Sequence, residues 1–393
     1  MEKQKNIPHL RFPEFNSEWD KMELIELSVN GFSNGAFNDP KKVGTGYRII
    51  NVKDMYVDGT IDVDNLTRVA IDEKEFSKNR VEYGDIFFTR SSLVKEGIAH
   101  SNVNLNKADD LTFDGHLIRM RPIKEKYSPI FLYYNFGTPN TRIQFIQRGK
   151  TTTMTTIGQD DIAKVEISIP TLPEQTKIAS FLTAVDEKLQ ALKKKKFLLV
   201  QYKKGILQQL FSQELRFKDD NGNDFPDWEE KKLGEITTIT TGSSNRVDSI
   251  LDGEFTFFDR SQDIRTSNRY LFDKEAIIVP GEGQEFIPKY FKGKFDLHQR
   301  TYAIFDFKDI YGKFLFYYIS FNDKHLQSQA VGSTVKSLRL PMFETMLINR
   351  PCLEEQTNIA HFLSAIDDKI NAVQQQIEKT EVWKKGLLQK MFV

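Results

Sequence analysis

The sequence predicts an α+β protein: two mixed β-rich domains separated by two long helices that form an antiparallel coiled coil, with a pseudo-two-fold internal repeat. Three observations predict it. The stretch from Pro170 to Phe211 recurs without a gap as Pro351 to Phe392, matching at Glu174/Glu355, Gln175/Gln356, Asp186/Asp367, Lys203/Lys384, Gly205/Gly386 and Phe211/Phe392 among others. Each copy carries apolar residues in alternating steps of four and three, the spacing of a coiled-coil seam. Ahead of each copy lies a block of short β-branched and aromatic runs punctuated by glycine. The expected divisions are 1–169, the first β-rich domain; 170–215, the first helix; 216–349, the second β-rich domain; and 350–393, the second helix.

The chain enters each half in the same way. Arg11-Phe12-Pro13-Glu14-Phe15 with Trp19 is echoed by Phe225-Pro226-Asp227-Trp228, and apolar neighbours make both tryptophans core anchors. In the first block, Tyr47 to Val52, Asp85 to Arg90 and His116 to Arg121 read as strands, and Pro129 to Phe136 as a helix packed on them. A loop over Arg148-Gly149-Lys150 and a threonine run follows, then Val165 to Ile169. In the second block, the strands are Phe255 to Phe258, Ala276 to Val279 and Tyr302 to Phe305, followed by a helix at Tyr311 to Phe321 and a loop at Gly332 to Lys336.

The seam of the first long helix is Ile178, Leu182, Val185, Leu189, Leu192 and Leu199; that of the second is Ile359, Leu363, Ile366, Ile370, Val373 and Ile377. Each rod would run roughly 57 Å at 1.5 Å per residue. Thr171 with Glu174 resembles a capping box, with Cys352 where the second copy should have its cap. Lys193 to Lys196 reads as a solvated face. Gly205 and Gly386 cost helix stability, so they suggest close packing or a helix break.

Composition narrows the function. The chain has 393 residues, 39% of them hydrophobic and 28% charged, enough for two to three domains with real cores. Lys plus Arg and Asp plus Glu are each 55, so the net charge is zero and any affinity for nucleic acid must come from local basic patches or a partner. The single cysteine excludes an intramolecular disulfide framework and fits a reducing cytoplasm. MEKQKNIPHLRFPEF has no apolar core, so no secretory leader is expected, and no apolar stretch is long enough to span a membrane.

Catalytic patterns are missing. Gly149-Lys150-Thr151 ends like a phosphate loop, but Gln144 stands where its first glycine belongs. Gly281-Glu282-Gly283 does not extend to a dinucleotide fingerprint. The carboxylates around Trp228 are too close together for a metal-dependent nuclease and reduce to Glu18 and Asp20 beside Trp19. The six histidines form no i, i+4 pair, so no metal site is expected. No nucleophile elbow, adenine-methyltransferase tetrapeptide or S-adenosylmethionine fingerprint is present, so no catalytic residue is assigned. The chain reads as a binder.

Recognition concentrates on loops held by rigid scaffolds, and DNA grooves are read by Arg, Lys, Asn and Gln, with Ser and Thr on phosphate. The candidates in the first block are Arg90, Ser91, Ser92 and Lys95, and Arg148, Lys150, Thr151 and Thr152. In the second they are Lys289 and Lys292, Gln299 and Arg300, and Ser333, Thr334, Lys336 and Arg339. The bland reading of each is a solvated loop charge.

Two unlike blocks, each followed by a helix that opens Leu-Pro-Glu-Gln-Thr-Lys-Ile-Ala or Leu-Glu-Glu-Gln-Thr-Asn-Ile-Ala, resemble the specificity subunit of a type I restriction-modification system. The likeness extends from Arg11 to Phe392 and includes Ile169 to Gln175 and Trp383 to Gln389. It implies that each block is a target recognition domain for one half of a split site in double-stranded DNA. It implies also that the helices are a spacer docking two methyltransferase subunits, which use S-adenosylmethionine, and indirectly two restriction/translocase subunits, which use ATP and Mg. The chain itself would bind no cofactor. Two other classes stay open at this point: a standalone DNA nuclease or methyltransferase with an unrecognised site, and a coiled-coil adaptor that binds only proteins.

Overall fold

The computed structural model describes residues 6–37 and 42–393. Residues 1–5, the start of the stretch read as lacking a leader, lie outside the described residues. The chain forms two compact units, Met1–Lys193 with Gln375–Val393, and Lys194–Gln374. Each unit therefore contains one β-rich block, the start of the long helix that follows it, and the end of the other long helix. The units divide both helices, which the sequence reading sets apart as 170–215 and 350–393.

In the first unit, strands Ser28–Asn34, Leu117–Pro122, Ile86–Thr89 and Ser101–Val103 form a four-stranded antiparallel sheet in that order. A second sheet has the order Thr67–Val69, Val43–Ile50, Leu111–Phe113. In the second unit a single six-stranded sheet does both jobs: Thr238–Thr241, Thr301–Phe305, Phe272–Pro280, Lys289–Leu297, Phe255–Phe258, Arg265–Ser267. Its long strand Lys289–Leu297 pairs antiparallel with Phe272–Pro280 along most of its length and parallel with Phe255–Phe258 at its end. The first unit divides the same role between two short strands.

Close backbone approach marks the same point in both blocks. A Cβ on Gly35 would lie 1.9 Å from the carbonyl oxygen of Phe113, and one on Gly242 would lie 1.7 Å from that of Leu297. Only glycine fits there. The sequence reading places the strands it names within a few residues, but it does not name Ser28–Asn34, Thr67–Val69, Ser101–Val103, Leu111–Phe113, Thr238–Thr241 or Arg265–Ser267. It also misses the helix Pro139–Arg148 and the long strand Lys289–Leu297. Lys289 and Lys292 are thus strand residues rather than loop residues, in a run whose lysines disguise the alternation of Phe291, Phe295 and Leu297 on one face, with Tyr290 on the other.

The repeated Glu-Gln pair locks each long helix, Leu172–Phe211 and Leu353–Lys390, to its block. Glu174 is fully buried and accepts from Arg11 Nε and Nη2, both at 2.7 Å, and from Trp19 Nε1 at 3.3 Å. Glu355 repeats this with Arg216, at 3.1 and 2.8 Å, and Trp228, at 3.2 Å. The capping-box reading of Glu174 is corrected here, because its carboxylate serves an inward ion pair. Gln175 accepts the Ser128 N–H at 2.9 Å and donates to the Pro170 carbonyl, while Gln356 accepts the Tyr311 N–H at 2.7 Å and donates to Pro351. Each glutamine joins the start of a long helix to the start of the block's own helix, Pro129–Phe136 or Gly312–Phe321.

Within each unit the two helix segments run antiparallel. Asp186 pairs with Lys384 at 2.5 Å and Lys193 with Glu381 at 3.5 Å in the first unit. In the second, Lys203 pairs with Asp367 at 2.6 Å and Lys196 donates to Gln374 at 2.7 Å. Asp186–Lys384 and Lys203–Asp367 are the same pair in repeat-equivalent positions, and each aspartate also accepts a tyrosine hydroxyl, Tyr134 or Tyr317.

The seam residues Ile178, Leu182 and Val185 pack into the first core with Trp19, Phe131, Leu387, Met391 and Phe392. Ile359, Leu363 and Ile366 pack into the second with Leu210, Phe211, Phe314 and Phe343. Full burial of such a side chain stabilises by about 1.5–3 kcal/mol. Val373 and Ile377 are buried too, whereas Leu189, Leu192, Leu199 and Ile370 are half-buried. Two expectations about polar and small helix residues change. Lys193 and Lys196 are paired rather than merely solvated, Lys193 also reaching Asp58 at 3.0 Å. Gly205 and Gly386 neither admit a close neighbour nor break the helix, since nothing lies within 4 Å of a Cβ at either.

Candidate nucleic-acid interface

One strand-end tip is built in the same way in both units. In the first unit the Arg90 N–H donates to the His116 carbonyl at 3.2 Å, and the Arg90 carbonyl accepts from Ile157 at 3.0 Å. Ser91–Ser92 then pairs with Thr155–Thr156, which pairs with Lys150–Thr151. The two candidate stretches of the first block, far apart in sequence, thus meet in one small sheet. Arg90, Lys95, Lys150, Thr151 and Thr152 are exposed there, together with Leu93 and Val94. Arg148 is half-buried and donates to the Lys164 carbonyl at 2.8 Å, so it helps to hold the tip. Lys150 stands 3.2 Å from Asp161.

In the second unit the Gly281 N–H donates to the Arg300 carbonyl at 2.9 Å, and the Gly281 carbonyl accepts from Leu338 at 2.8 Å. Glu282–Gly283 pairs with Lys336–Ser337. By hydrogen-bond register, Arg90 corresponds to Gly281, Ser91–Ser92 to Glu282–Gly283, Thr155–Thr156 to Lys336–Ser337, and His116 to Arg300. Gln299, Arg300, Ser333, Thr334, Lys336 and Arg339 are exposed around this tip. Gln299 donates to Asn245 at 2.6 Å.

Two candidates differ from expectation. The Lys289 ammonium donates to the Ser261 carbonyl at 2.6 Å, and burial pushes its pKa below the usual lysine range. Lys292 lies opposite Glu275, 4.0 Å away and apart from the tip.

Sequence reasoning misses the groups that organise these tips. Glu282 takes Arg260 Nη1 at 2.8 Å and Arg300 Nη1 at 2.9 Å. His298 Nδ1 accepts the Arg300 N–H at 3.0 Å, a role that needs the unprotonated ring, and burial lowers the His298 pKa in that direction. In the first unit Asp114 takes that place, accepting the His116 N–H at 2.6 Å with His116 Nδ1 at 2.7 Å. The signal lay in Gly281-Glu282-Gly283, which sequence reasoning weighs only as a dinucleotide motif. Among the described residues no cluster of three His, Cys, Asp or Glu side chains is placed to hold a metal. No helix among them is long and apolar enough to cross a membrane.

One half-exposed aromatic position recurs on the long helices. Tyr202 and Trp383 occupy equivalent places in the repeat and are each about half exposed, at 51% and 47%. Leu198 shares the Tyr202 face one turn earlier, by the i, i+4 rule, and is exposed, as are Phe197 beside it and Val382 beside Trp383.

The family model for the type I restriction modification DNA specificity domain matches residues 16–199 and 226–381. The chain belongs to this family. It is 26% identical over 410 residues to a Methanocaldococcus jannaschii protein named as the putative type I restriction enzyme MjaX specificity subunit, covering 98% of this chain and 95% of that one. It is 29% identical over 153 residues to the type I restriction enzyme EcoDI specificity subunit of Escherichia coli, covering 39% of this chain and 34% of that one. The fold matches the crystal structure of a type I restriction-modification S subunit from M. genitalium with a TM-score of 0.64 at 16% identity, over 98% of this chain and 99% of that one. Both matched segments of this type I specificity protein contain a tip: 16–199 includes Arg90 to Ser92, and 226–381 includes Glu282 to Arg300.

Proposed function

We propose that this chain is the DNA-reading subunit of a type I restriction-modification complex, each unit reading one half of a bipartite site. One observation carries the reading: within a family of DNA specificity domains, a single tip architecture recurs in both units with unlike exposed side chains. Common backbone with different chemistry is what two different half-sites require. The long helices set the gap between half-sites. The chain works in the cytoplasm and does no chemistry itself. S-adenosylmethionine belongs to two methyltransferase subunits that modify adenine N6, and ATP and Mg to the restriction/translocase subunits beyond them.

Exchange of residues 237–349 for the corresponding block of another family member is the test. Mapping N6-methyladenine in cells carrying the exchanged chain should show one half-site replaced and the other retained. A change in both halves would refute the two-reader arrangement.

The repeated aromatic pair Tyr202 and Trp383 supports docking of two copies of one partner, since equivalent places bind equivalent groups. Half-exposed Tyr and Trp are frequent interface anchors, and truncation of an anchor costs about 2 kcal/mol or more. Tyr202→Ala with Trp383→Ala should weaken methyltransferase association by at least ~30-fold in a titration of the purified subunits. Unchanged affinity would reject this docking surface.

A further inference from the structure

We infer that Arg300 reads a guanine in the half-site of the second unit, with Glu282 as its positioning residue; this rests on the DNA-reading function proposed above. The backbone of Arg300 is fixed on both sides, its N–H by His298 Nδ1 at 3.0 Å and its carbonyl by the Gly281 N–H at 2.9 Å. Its side chain is about half exposed, at 52%. Nη1 donates to both carboxylate oxygens of Glu282, at 3.2 and 2.9 Å. Among the described residues, Arg300 Nε and Nη2 donate to nothing.

Glu282 is held in turn. Arg260 Nη1 approaches it at 2.8 Å, and its backbone pairs with Ser337. The guanidinium is thereby oriented before any DNA arrives, with two parallel N–H groups left on its free edge. Guanine presents two adjacent acceptors, N7 and O6, in the major groove, and that fork matches them. A backbone phosphate is the poorer partner, because the Glu282 carboxylate on the same guanidinium would repel it. The orientation is what the carboxylate contributes, since an exposed ion pair adds little stability by itself.

The first unit differs at this place. His116 occupies the Arg300 position and Ser91 the Glu282 position, so no carboxylate-oriented guanidinium stands at that position. The two half-sites therefore differ in chemistry at the base pair below this residue.

The test maps N6-methyladenine across the genome of cells carrying the unaltered chain, Arg300→Lys, Arg300→Ala or Glu282→Gln. The half-site assigned to residues 237–349 by block exchange should contain a guanine favoured by ~5- to ~150-fold over other bases at one position. Arg300→Lys keeps the charge but not the fork, and should make that one position degenerate while the other half-site stays intact. Arg300→Ala should do the same with lower overall occupancy, and Glu282→Gln should weaken the same preference without moving it. A preference retained under both Arg300→Lys and Arg300→Ala overturns the inference. So does uniform loss over all sites with the motif unchanged, or loss of all methylation under both substitutions, which would mark a phosphate or structural role. An unsplit motif with the unaltered chain, or one that ignores block exchange, instead fails the underlying function, and is read before any variant is scored.

Discussion

Glu174→Ala should destabilise the first unit by about 3–5 kcal/mol, the usual penalty for removing one partner of a buried ion pair. The carboxylate is fully buried, and the Arg11 side chain is only 10% exposed. Deleting the carboxylate leaves the guanidinium desolvated and unpaired and takes the acceptor from the Trp19 indole. The segment carrying Arg11 and Trp19 would then lose its tie to the start of the long helix. Urea unfolding should show the loss as a lower midpoint for this unit. Glu355→Ala should cost less, because Arg216 is 21% exposed and keeps more of its hydration once unpaired. A loss below about 1 kcal/mol for Glu174→Ala would mean that water replaces the carboxylate and that the pair does not hold the unit together.

Removal of one heptad from both long helices, 193–199 and 374–380, should shorten the gap between half-sites by about three base pairs, at 1.5 Å per residue against 3.4 Å per base pair. Both helices must lose it. They run antiparallel within each unit, so deletion from one alone prevents Asp186–Lys384 and Lys203–Asp367 from forming in the same molecule. The matched deletion removes half-buried Leu199 and buried Ile377 while keeping the residues of both pairs. The readout is the number of unspecified bases in the methylated motif. An unchanged number would reject the ruler role of the helices.

Much of the scaffold was legible because its signals are local or repeated. Glu174/Glu355 and Gln175/Gln356 stood out as matched pairs before any partner was visible, and the seam of Ile178, Leu182 and Val185 follows from helical period alone. Their purpose was not legible. Glu174 looked like a cap because Arg11 is distant in sequence, and Gly205 looked like a packing contact because open space around a helix leaves no trace in its residues. The strand Lys289–Leu297 escaped because an exposed strand face can be filled with lysines as readily as a loop.

The sequence by itself determined the duplicated helices, the two unlike blocks and the residue types available for reading DNA. Only the tertiary structure decided which of those residues stand together. Strand alternation selects a face, but it does not name the strand across from it. Pairing brought Arg90–Ser92 and Lys150–Thr151 into one small sheet on either side of Thr155–Thr156, drew Lys289 inward to Ser261, and set Glu282 between Arg300 and Arg260. Those contacts depend on segments closing over long loops, and the free energy that selects them comes from the whole core.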